Sequence, residues 1–266
     1  MCLTALGYCT INGYWSTEAN PFYRFFKGEI LVMKKRIVLS GITGKMGKFL
    51  LQGFEINPDY EVVAGIAEQE DFSGAIPIYS DIEIMDAEVD YDVFVDFTRA
   101  SFSKAACAFM LKKGIQIIVG TTGFSKDDIL ELKKIANDAG TAGIIAPNFA
   151  LGIVLLHKYL QMGTKYFKNF AVYEYHHLSK YDNPSGTAHY LADVTRGDTR
   201  IEEVDIHGFR LPGVLATHTV VMSDESQKIE LTHQSNNRYS FEEGVLLALE
   251  LVDSLQTLVY GLEELV

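Results

Sequence analysis

"RIVLSGITGKMG", Arg36 to Gly47, decides the fold. Its first half is an apolar run closed by glycine, the composition of a strand buried on both faces of a parallel sheet. Its second half carries Gly41, Gly44 and Gly47, and a helical stretch over Lys45–Phe54 follows. The next segment, "EVVAGIAE", reads as a second strand ending on Glu68. Strand, glycine turn, helix and strand, closed by an acid, form the opening unit of a dinucleotide-binding fold. The G-x-x-G-x-x-G spacing differs by one position from the usual G-x-G-x-x-G, but the mechanics are the same. Glycine permits a tight turn and a close approach of backbone to a pyrophosphate, which sits on the amides that open the helix. An acid about 20 residues further on accepts hydrogen bonds from the adenosine ribose. A plain tight turn between strand and helix is the competing reading, and Glu68 weighs against it.

Working outward, the alternation persists. "YDVFVDFT" (Tyr91–Thr98), "IQIIVGTTG" (Ile115–Gly123) and "AGIIAPN" (Ala142–Asn148) are further strands. Between them lie a helix over Ser101–Lys113 stopped by Gly114, and one over Lys126–Ala139 capped by Ser125 and ended by Gly140. Alternating strands and helices imply a parallel sheet with ligands at the carboxyl ends of its strands. Those ends are Gly41–Gly47, Glu68, Phe97-Thr98, Gly120-Thr121-Thr122 and Ala146-Pro147-Asn148-Phe149, and all are expected to line one crevice.

Composition narrows the partners. The net charge of −12 over 266 residues argues against nucleic acid or an anionic membrane as partner, since both require a basic stripe. An anionic ligand must then be held by local positive charge. Cys2, Cys9 and Cys107 are too few and too scattered for a disulfide framework or a zinc knuckle, and a reducing cytoplasm fits them. Residues 1–32 show neither a steady period nor the pattern of a signal peptide, whereas Met33 opens "MKKRIVLSG" as a natural beginning. Residues 1–32 are therefore expected to be a non-native extension that adds nothing to the fold.

After Asn148 the style changes. A helical stretch "ALGIVLLHKYLQMGTKYF" leads to the strand "KNFAVYEYHH" and to a helix from Thr187. "IEEVDIHGFRL", "VLATHTVVMSD" and "QKIELTHQS" are three strands on short turns, implying a mostly antiparallel mixed sheet. A final amphipathic helix is expected over Phe241–Tyr260, with Val245, Leu249, Val252, Leu255 and Val259 on its apolar face. The fold class is thus a Rossmann-like α/β nucleotide-binding domain (residues 33–148 and 238–266) plus an α+β substrate-binding and oligomerisation domain (149–237).

The second half opens on "EYHHLSKYDNPSGTA", Glu174 to Ala188. A metal site is one reading, but no Cys or Glu completes a familiar ligand spacing beside His176 and His177. A polar surface loop is another. The third is a pocket that binds an anion and gives it protons. Pro184-Ser185-Gly186-Thr187 opens a helix, Ser185 can cap it, and the amides of Gly186 and Thr187 face whatever precedes it. Histidine titrates near neutral pH, and lysine clamps a carboxylate or donates a proton.

"GITGKMG", "GTTGF", "APNFALG" and above all "EYHHLSKYDNPSGTA" resemble the 4-hydroxy-tetrahydrodipicolinate reductase (dihydrodipicolinate reductase) family. The resemblance runs from Lys34 to the C-terminal helix. It implies NADH- or NADPH-dependent reduction of a cyclic dicarboxylate imine in lysine and diaminopimelate biosynthesis; the ligand spacing adds the expectation of no metal, and the cysteines that of the cytoplasm. It assigns His176 as general acid/base and Lys180 as proton donor. Substrate falls to His177, Ser185, Gly186, Thr187, Thr122 and Arg238. The cofactor falls to Gly41, Ile42, Thr43, Gly44, Lys45, Met46, Glu68, Gly120, Thr121, Thr122, Ala146, Pro147, Asn148 and Phe149. It also implies a homotetramer built through the second domain's sheet, with the C-terminal helix packed back on the nucleotide domain. Two departures stand out. Gln69 follows Glu68 where many relatives carry arginine, and Glu70 and Asp71 add negative charge, so NADH is expected over NADPH; Lys45 argues the other way. The segment Asp193–Gly213 is short and "RLPGVLATH" replaces a glycine-rich turn, which bears on the outer sheet and the oligomer. The alternatives are another two-domain nicotinamide-dependent dehydrogenase, or a non-catalytic NAD-binding sensor.

Overall fold

The computed structural model of the protein describes residues 23–26, 29–32, 34–196, 204–237 and 239–266. Arg238 and part of the segment Asp193–Gly213 lie outside the described residues. Ahead of Met33, where no strand period is legible, β1 (Tyr23–Phe26) and β2 (Glu29–Val32) form an antiparallel hairpin that joins neither of the larger sheets.

The nucleotide-binding half is built on β3 (Lys35–Ser40), β4 (Tyr60–Ile66), β5 (Ile78–Tyr79), β6 (Val93–Asp96), β7 (Gln116–Val119) and β8 (Gly143–Ile145). With β13 (Leu258–Tyr260) they make a seven-stranded parallel sheet in the order β13-β8-β7-β6-β3-β4-β5. The strand order reverses beside β3, and in such sheets the crevice for a ligand opens at that switch point. Apolar layers cover both faces. On one, Leu50 and Phe54 of α1 (Lys45–Ile56) pack with Val245, Ala248 and Leu249 of α7 (Tyr239–Leu251). On the other lie Met85 of α2 (Ile82–Glu88), Cys107, Met110 and Leu111 of α3 (Ala100–Lys112), and Ile129 and Leu132 of α4 (Lys126–Ala139).

Local chemistry sets these boundaries. Ser125 and Asp128 close a reciprocal capping box at the start of α4, and Gly140 ends it in the left-handed conformation, φ 64°. At the glycine turn, Gly41 has φ 80°, and a Cβ there would lie 2.5 Å from the carbonyl oxygen of Phe97. A Cβ on Gly47 would lie 2.1 Å from the carbonyl oxygen of Gly41. The first turn of α1 is therefore pressed against the loop that precedes it, as a pyrophosphate cradle requires.

The second half carries α5 (Leu151–Gly163), β9 (Asn169–His176), α6 (Gly186–Arg196), β10 (Val204–Arg210), β11 (Ala216–Ser223) and β12 (Lys228–Ser235). The sheet order is β10-β9-β11-β12, with β10 parallel to β9 and the other pairs antiparallel. Alternation along β9 turns Phe170, Val172, Glu174 and His176 inward. Phe170 and Val172 meet Ile153, Leu156 and Leu160 of α5 and Ala188 and Leu191 of α6 there.

Two expectations need correction. The strand expected to reach Glu68 stops at Ile66 and leaves Glu68 exposed on the following loop. The final helix stops at Leu251 rather than Tyr260; a short 3-10 turn follows, and Leu258–Tyr260 pairs with β8 as an edge strand. The physical reason lies in distant partners. Buried Lys35 donates from Nζ to the carbonyl of Leu249, Gln116 donates to that of Val252, and Ser254 Oγ donates to that of Leu251. The open edge of β8 then supplies main-chain bonds that a continued helix would forgo.

Candidate active site

The carboxyl ends of β3, β4 and β6 enclose a cleft of about 500 Å³ lined by Gly41, Thr43, Gly44, Glu68, Phe97, Thr98 and Arg99, among others. Gly44 is the N-cap of α1, and no side chain among the described residues caps that helix. Its first amides are thus presented to the cleft, which suits a diphosphate. Glu68 stands at the far side, paired with Arg99 at 2.8 Å, with both side chains mostly in solvent. Lys45 is exposed, Met46 is half-buried, and Ile42 is packed into the core against Gly65. A dinucleotide fits this donor set.

The remaining strand ends do not join the same cleft. Thr121 is buried, and its hydroxyl donates to Asp96 at 2.6 Å and accepts from the amide of Thr98 at 2.8 Å. Asp96 also accepts from Thr98 Oγ1 at 2.8 Å and Ser103 Oγ at 2.6 Å. This wholly buried carboxylate ties the ends of β6 and β7 together, and it uses up the Thr121 side chain. Gly120 is packed on the Phe97 ring. Ala146 and Phe149 are core residues, Pro147 is half-buried, and Thr122 is exposed and lines neither cavity. Of the strand ends expected to share one crevice, Gly41, Gly44, Glu68, Phe97 and Thr98 line this cleft, and Asn148 lines a second cavity. The ring of Phe97, which lines the first, lies 5.7 Å from that of Phe149.

The second cavity, about 220 Å³, gathers Asn148, His176, His177, Lys180, Thr187, His218, His233 and Phe241. His176 ends β9, and its Nδ1 meets Glu174 Oε2. Burial disfavours the imidazolium and outweighs Glu174, so the pKa of His176 lies below its ordinary value. His177 Nδ1 is hydrogen-bonded to Ser179 Oγ at 2.8 Å. Asn148 donates to Thr187 Oγ1 at 3.2 Å, joining the last nucleotide-domain loop to the start of α6. Ser185 is the expected cap: its Oγ accepts from the amide of Ala188 at 3.2 Å.

The anion site foreseen at this helix start holds an internal anion. Asp182 accepts from the amide of Gly186 at 3.1 Å through Oδ2 and from Lys180 Nζ at 2.5 Å through Oδ1. Burial opposes its charge, but Lys180 and the amide prevail and hold the carboxyl below its usual range.

Sequence reasoning gave no role to Glu174, Arg210, His218 or His233. Register makes the last two neighbours of the site: Glu174 pairs with His218, and His218 with His233, across three strands. His218 is pressed edge-on against His176 at 5.1 Å and hydrogen-bonded to Ser185 Oγ at 3.2 Å. Burial pushes its pKa down to about 3. The inward alternation of His218, Val220 and Met222 in "ATHTVVMS" was the available signal. The structure also supplies the carboxylate that the sequence spacing lacked for a metal: ligand atoms of Glu174, His176 and His218 lie within 4.8 Å of one another. Glu174 Oε1, however, already accepts from Arg210 Nη1 at 3.0 Å and from the amide of Ser185 at 3.1 Å.

Comparison with known proteins is consistent along the chain. A relative from Geobacillus kaustophilus named 4-hydroxy-tetrahydrodipicolinate reductase is 37% identical over 263 residues, covering 88% of this chain and 99% of its own. One of the same name from Streptococcus pneumoniae is 36% identical over 255 residues, covering 88% and 100%. The dipicolinate-bound dihydrodipicolinate reductase of Paenisporosarcina sp. TG-14 superposes with a TM-score of 0.79 at 28% identity, covering 88% of this chain and all of that one. An amine dehydrogenase from Mycobacterium smegmatis shares the fold, with a TM-score of 0.65 at 9% identity, 86% of this chain and 95% of its own being covered. Residues 35–149 match the family model for the dihydrodipicolinate reductase N-terminus and residues 152–266 that for its C-terminus, so the chain belongs to the dihydrodipicolinate reductase family.

Proposed function

We infer that the protein reduces 4-hydroxy-tetrahydrodipicolinate to tetrahydrodipicolinate with a nicotinamide cofactor, in lysine and diaminopimelate biosynthesis. The observation that carries this reading is one small cavity in which His176, His177, Lys180 and Thr187 converge with Asn148 from the loop after β8. Gly41–Met46 and Glu68 hold the cofactor, with Gly120–Thr122 and Ala146–Phe149 contributing mainly through backbone. When bound, it supplies the hydride. The chain's own residues do the rest. The small dicarboxylate substrate places one carboxylate at Lys180, His177 and the amides of Gly186 and Thr187, displacing Asp182, with Ser185 capping the same helix start; the sequence resemblance adds Thr122 and Arg238 to this set. His176 and Lys180 manage the proton that the reduced ring takes up. A neutral His176 at neutral pH can accept a proton, and it gives one up readily once charged.

NADH is the preferred cofactor, because Glu68 lines the cleft and Glu70 and Asp71 follow it in the chain, adding negative charge where a 2′-phosphate would have to sit. No metal takes part, because Arg210 and the Ser185 amide already saturate one oxygen of Glu174; turnover that fell on chelation would contradict this. The chain acts as a cytoplasmic homotetramer. The support is an aromatic patch on the sheet face turned away from the helices, where Tyr175 and Phe209 stack at 5.0 Å and Phe209 is 45% exposed. A monomer mass in solution would overturn that assembly. We also take residues 33–148 with 238–266 as the nucleotide-binding domain, 149–237 as the substrate domain, and 1–32 as a non-native extension. Intact mass of the protein from its native host tests the last assignment, and a chain retaining Trp15 refutes it.

The catalytic assignment is tested by His176→Ala and Lys180→Ala. Each leaves NADH affinity near wild type and lowers turnover at least about a hundredfold, measured by NADH loss on substrate generated from aspartate semialdehyde and pyruvate. Unchanged turnover rejects it. Cofactor binding without turnover in the wild type would instead favour a sensor.

A further inference from the structure

Behind His176 lies a charged pair that none of these roles uses. Glu174 is wholly buried, two residues before His176 on the same face of β9. One of its oxygens meets His176 Nδ1; the other takes Arg210 and the Ser185 amide. Arg210 ends the neighbouring parallel strand, where its register partner is His176 itself. Its guanidinium reaches further: Nε donates to the carbonyl of Lys180 at 3.2 Å, and Nη2 donates to the carbonyl of Asp182. One planar cation thus joins the carboxylate behind His176 to the backbone of the loop that carries Lys180. A counterion needed only to neutralise a buried carboxylate would have no reason to engage two loop carbonyls. Arginine's fixed fork serves several acceptors at once, which a lysine ammonium cannot match.

We propose that Glu174 and Arg210 are positioning residues for the proton-handling groups: Glu174 fixes the ring plane and tautomer of His176, leaving Nε2 for the cavity, and Arg210 holds the loop so that Lys180 stands beside it. The inference rests on the roles given above to His176 and Lys180. The groups facing His176 are Glu174 on its own strand, Lys180 and Asp182 with His177 on the loop, Arg210 on β10, His218 on β11 and His233 on β12. Of the charges among them that act on His176, Glu174 favours the imidazolium, while Lys180 and Arg210 oppose it. Removing the Glu174 charge therefore moves the His176 titration to lower pH, whichever protonation state is the active one.

The experiment is steady-state kinetics of Glu174→Gln and Arg210→Lys against pH, with folding checked by thermal melting. Glu174→Gln is expected to lower kcat at least about tenfold, to leave both KM values within about threefold, and to move the His176 limb of the profile down by about one pH unit. Arg210→Lys keeps the charge but loses the loop carbonyls, and it is expected to lower kcat by a similar factor. The double variant Glu174→Gln/Arg210→Gln leaves no unpaired buried charge and serves where a single variant does not fold. Its kcat stays as low as that of Glu174→Gln. A double variant with wild-type kcat makes the pair merely structural and overturns the proposal. So does a Glu174→Gln enzyme with unchanged kcat and profile. His176→Ala in parallel separates the causes: inactive, it leaves the roles of His176 standing and only this inference fails; active, it shows that the underlying assignment failed first.

Discussion

Asp182→Asn isolates the internal anion of the proposed substrate site. The carboxylate engages Lys180 at 2.5 Å and the Gly186 amide at 3.1 Å. The isosteric amide keeps an oxygen for Gly186, so the start of α6 stays capped, and only the ion pair is lost. The side chains of Lys180 and Asp182 are 29% and 48% exposed, so water screens the pair heavily. Pairs of this kind are worth about 0.5–1 kcal/mol. A substrate carboxylate that must displace Asp182 from Lys180 pays that amount, and the variant does not. KM for the dicarboxylate should therefore fall about two- to fivefold, with kcat within about twofold. Direct titration with pyridine-2,6-dicarboxylate should show the same gain in affinity. The gain should shrink in about 1 M salt, where the Debye length is about 3 Å. A rise in KM together with a drop in kcat refutes the reasoning, because Asp182 would then be holding Lys180 in its working position rather than occupying the place of a ligand.

Other outcomes follow from the same structure. Glu68→Gln frees Arg99 from its 2.8 Å partner and removes the acid from the ribose end of the cleft; kcat/KM with NADPH relative to NADH should rise about tenfold. Higher efficiency with NADPH in the wild type would undercut the premise. Stability should decline below neutrality because buried His176 and His218 and half-buried His233 all have lowered pKa values. The unfolded chain protonates them near pH 6.5, whereas folded His218 does so only near pH 3, so stability is complete above pH 6.5 and is lost as pH falls between those values. His218 alone contributes about 1.4 kcal/mol per pH unit in that window. Thermal melts from pH 7.5 to 5 should show the loss, and His218→Asn should flatten it; an unchanged slope excludes His218 as its source.

Elements whose ends are written in neighbouring residues were legible in the sequence. Ser125, Asp128 and Gly140 bound α4 through contacts within a few residues, and the glycines after β3 announce the tight turn for the same reason. The C-terminal strand was hidden because Val252, Leu255 and Val259 keep a helical spacing. What breaks the helix is the chain some 100 to 200 residues earlier: Lys35, Gln116 and the edge of β8. Local patterning cannot report a partner of that kind. The role of Thr121 was hidden for a related reason. Thr121 looks like a ligand-facing hydroxyl until Asp96, on the preceding strand, takes it.

The site divides along the same line. His176, His177 and Lys180 fall in one string, so their chemistry shows before any fold is known. Glu174 belongs to that string, yet it carries no visible role because its neighbours come from other strands. Arg210 arrives 36 residues later along the chain and His218 bonds across 33. Only the parallel register of β10 on β9 places Arg210 opposite His176, and that register is set by the buried faces of both strands rather than by the motif. In the role proposed for it, His176 is thus specified twice: by the residues beside it in the chain, and by the sheet that brings a carboxylate and a guanidinium behind it. Transplanting the fifteen-residue string onto another strand-to-helix junction would carry the first specification and not the second, so it should bind a carboxylate weakly and catalyse nothing measurable. Turnover by such a graft, without an arginine at the position of Arg210, would show that the string suffices alone.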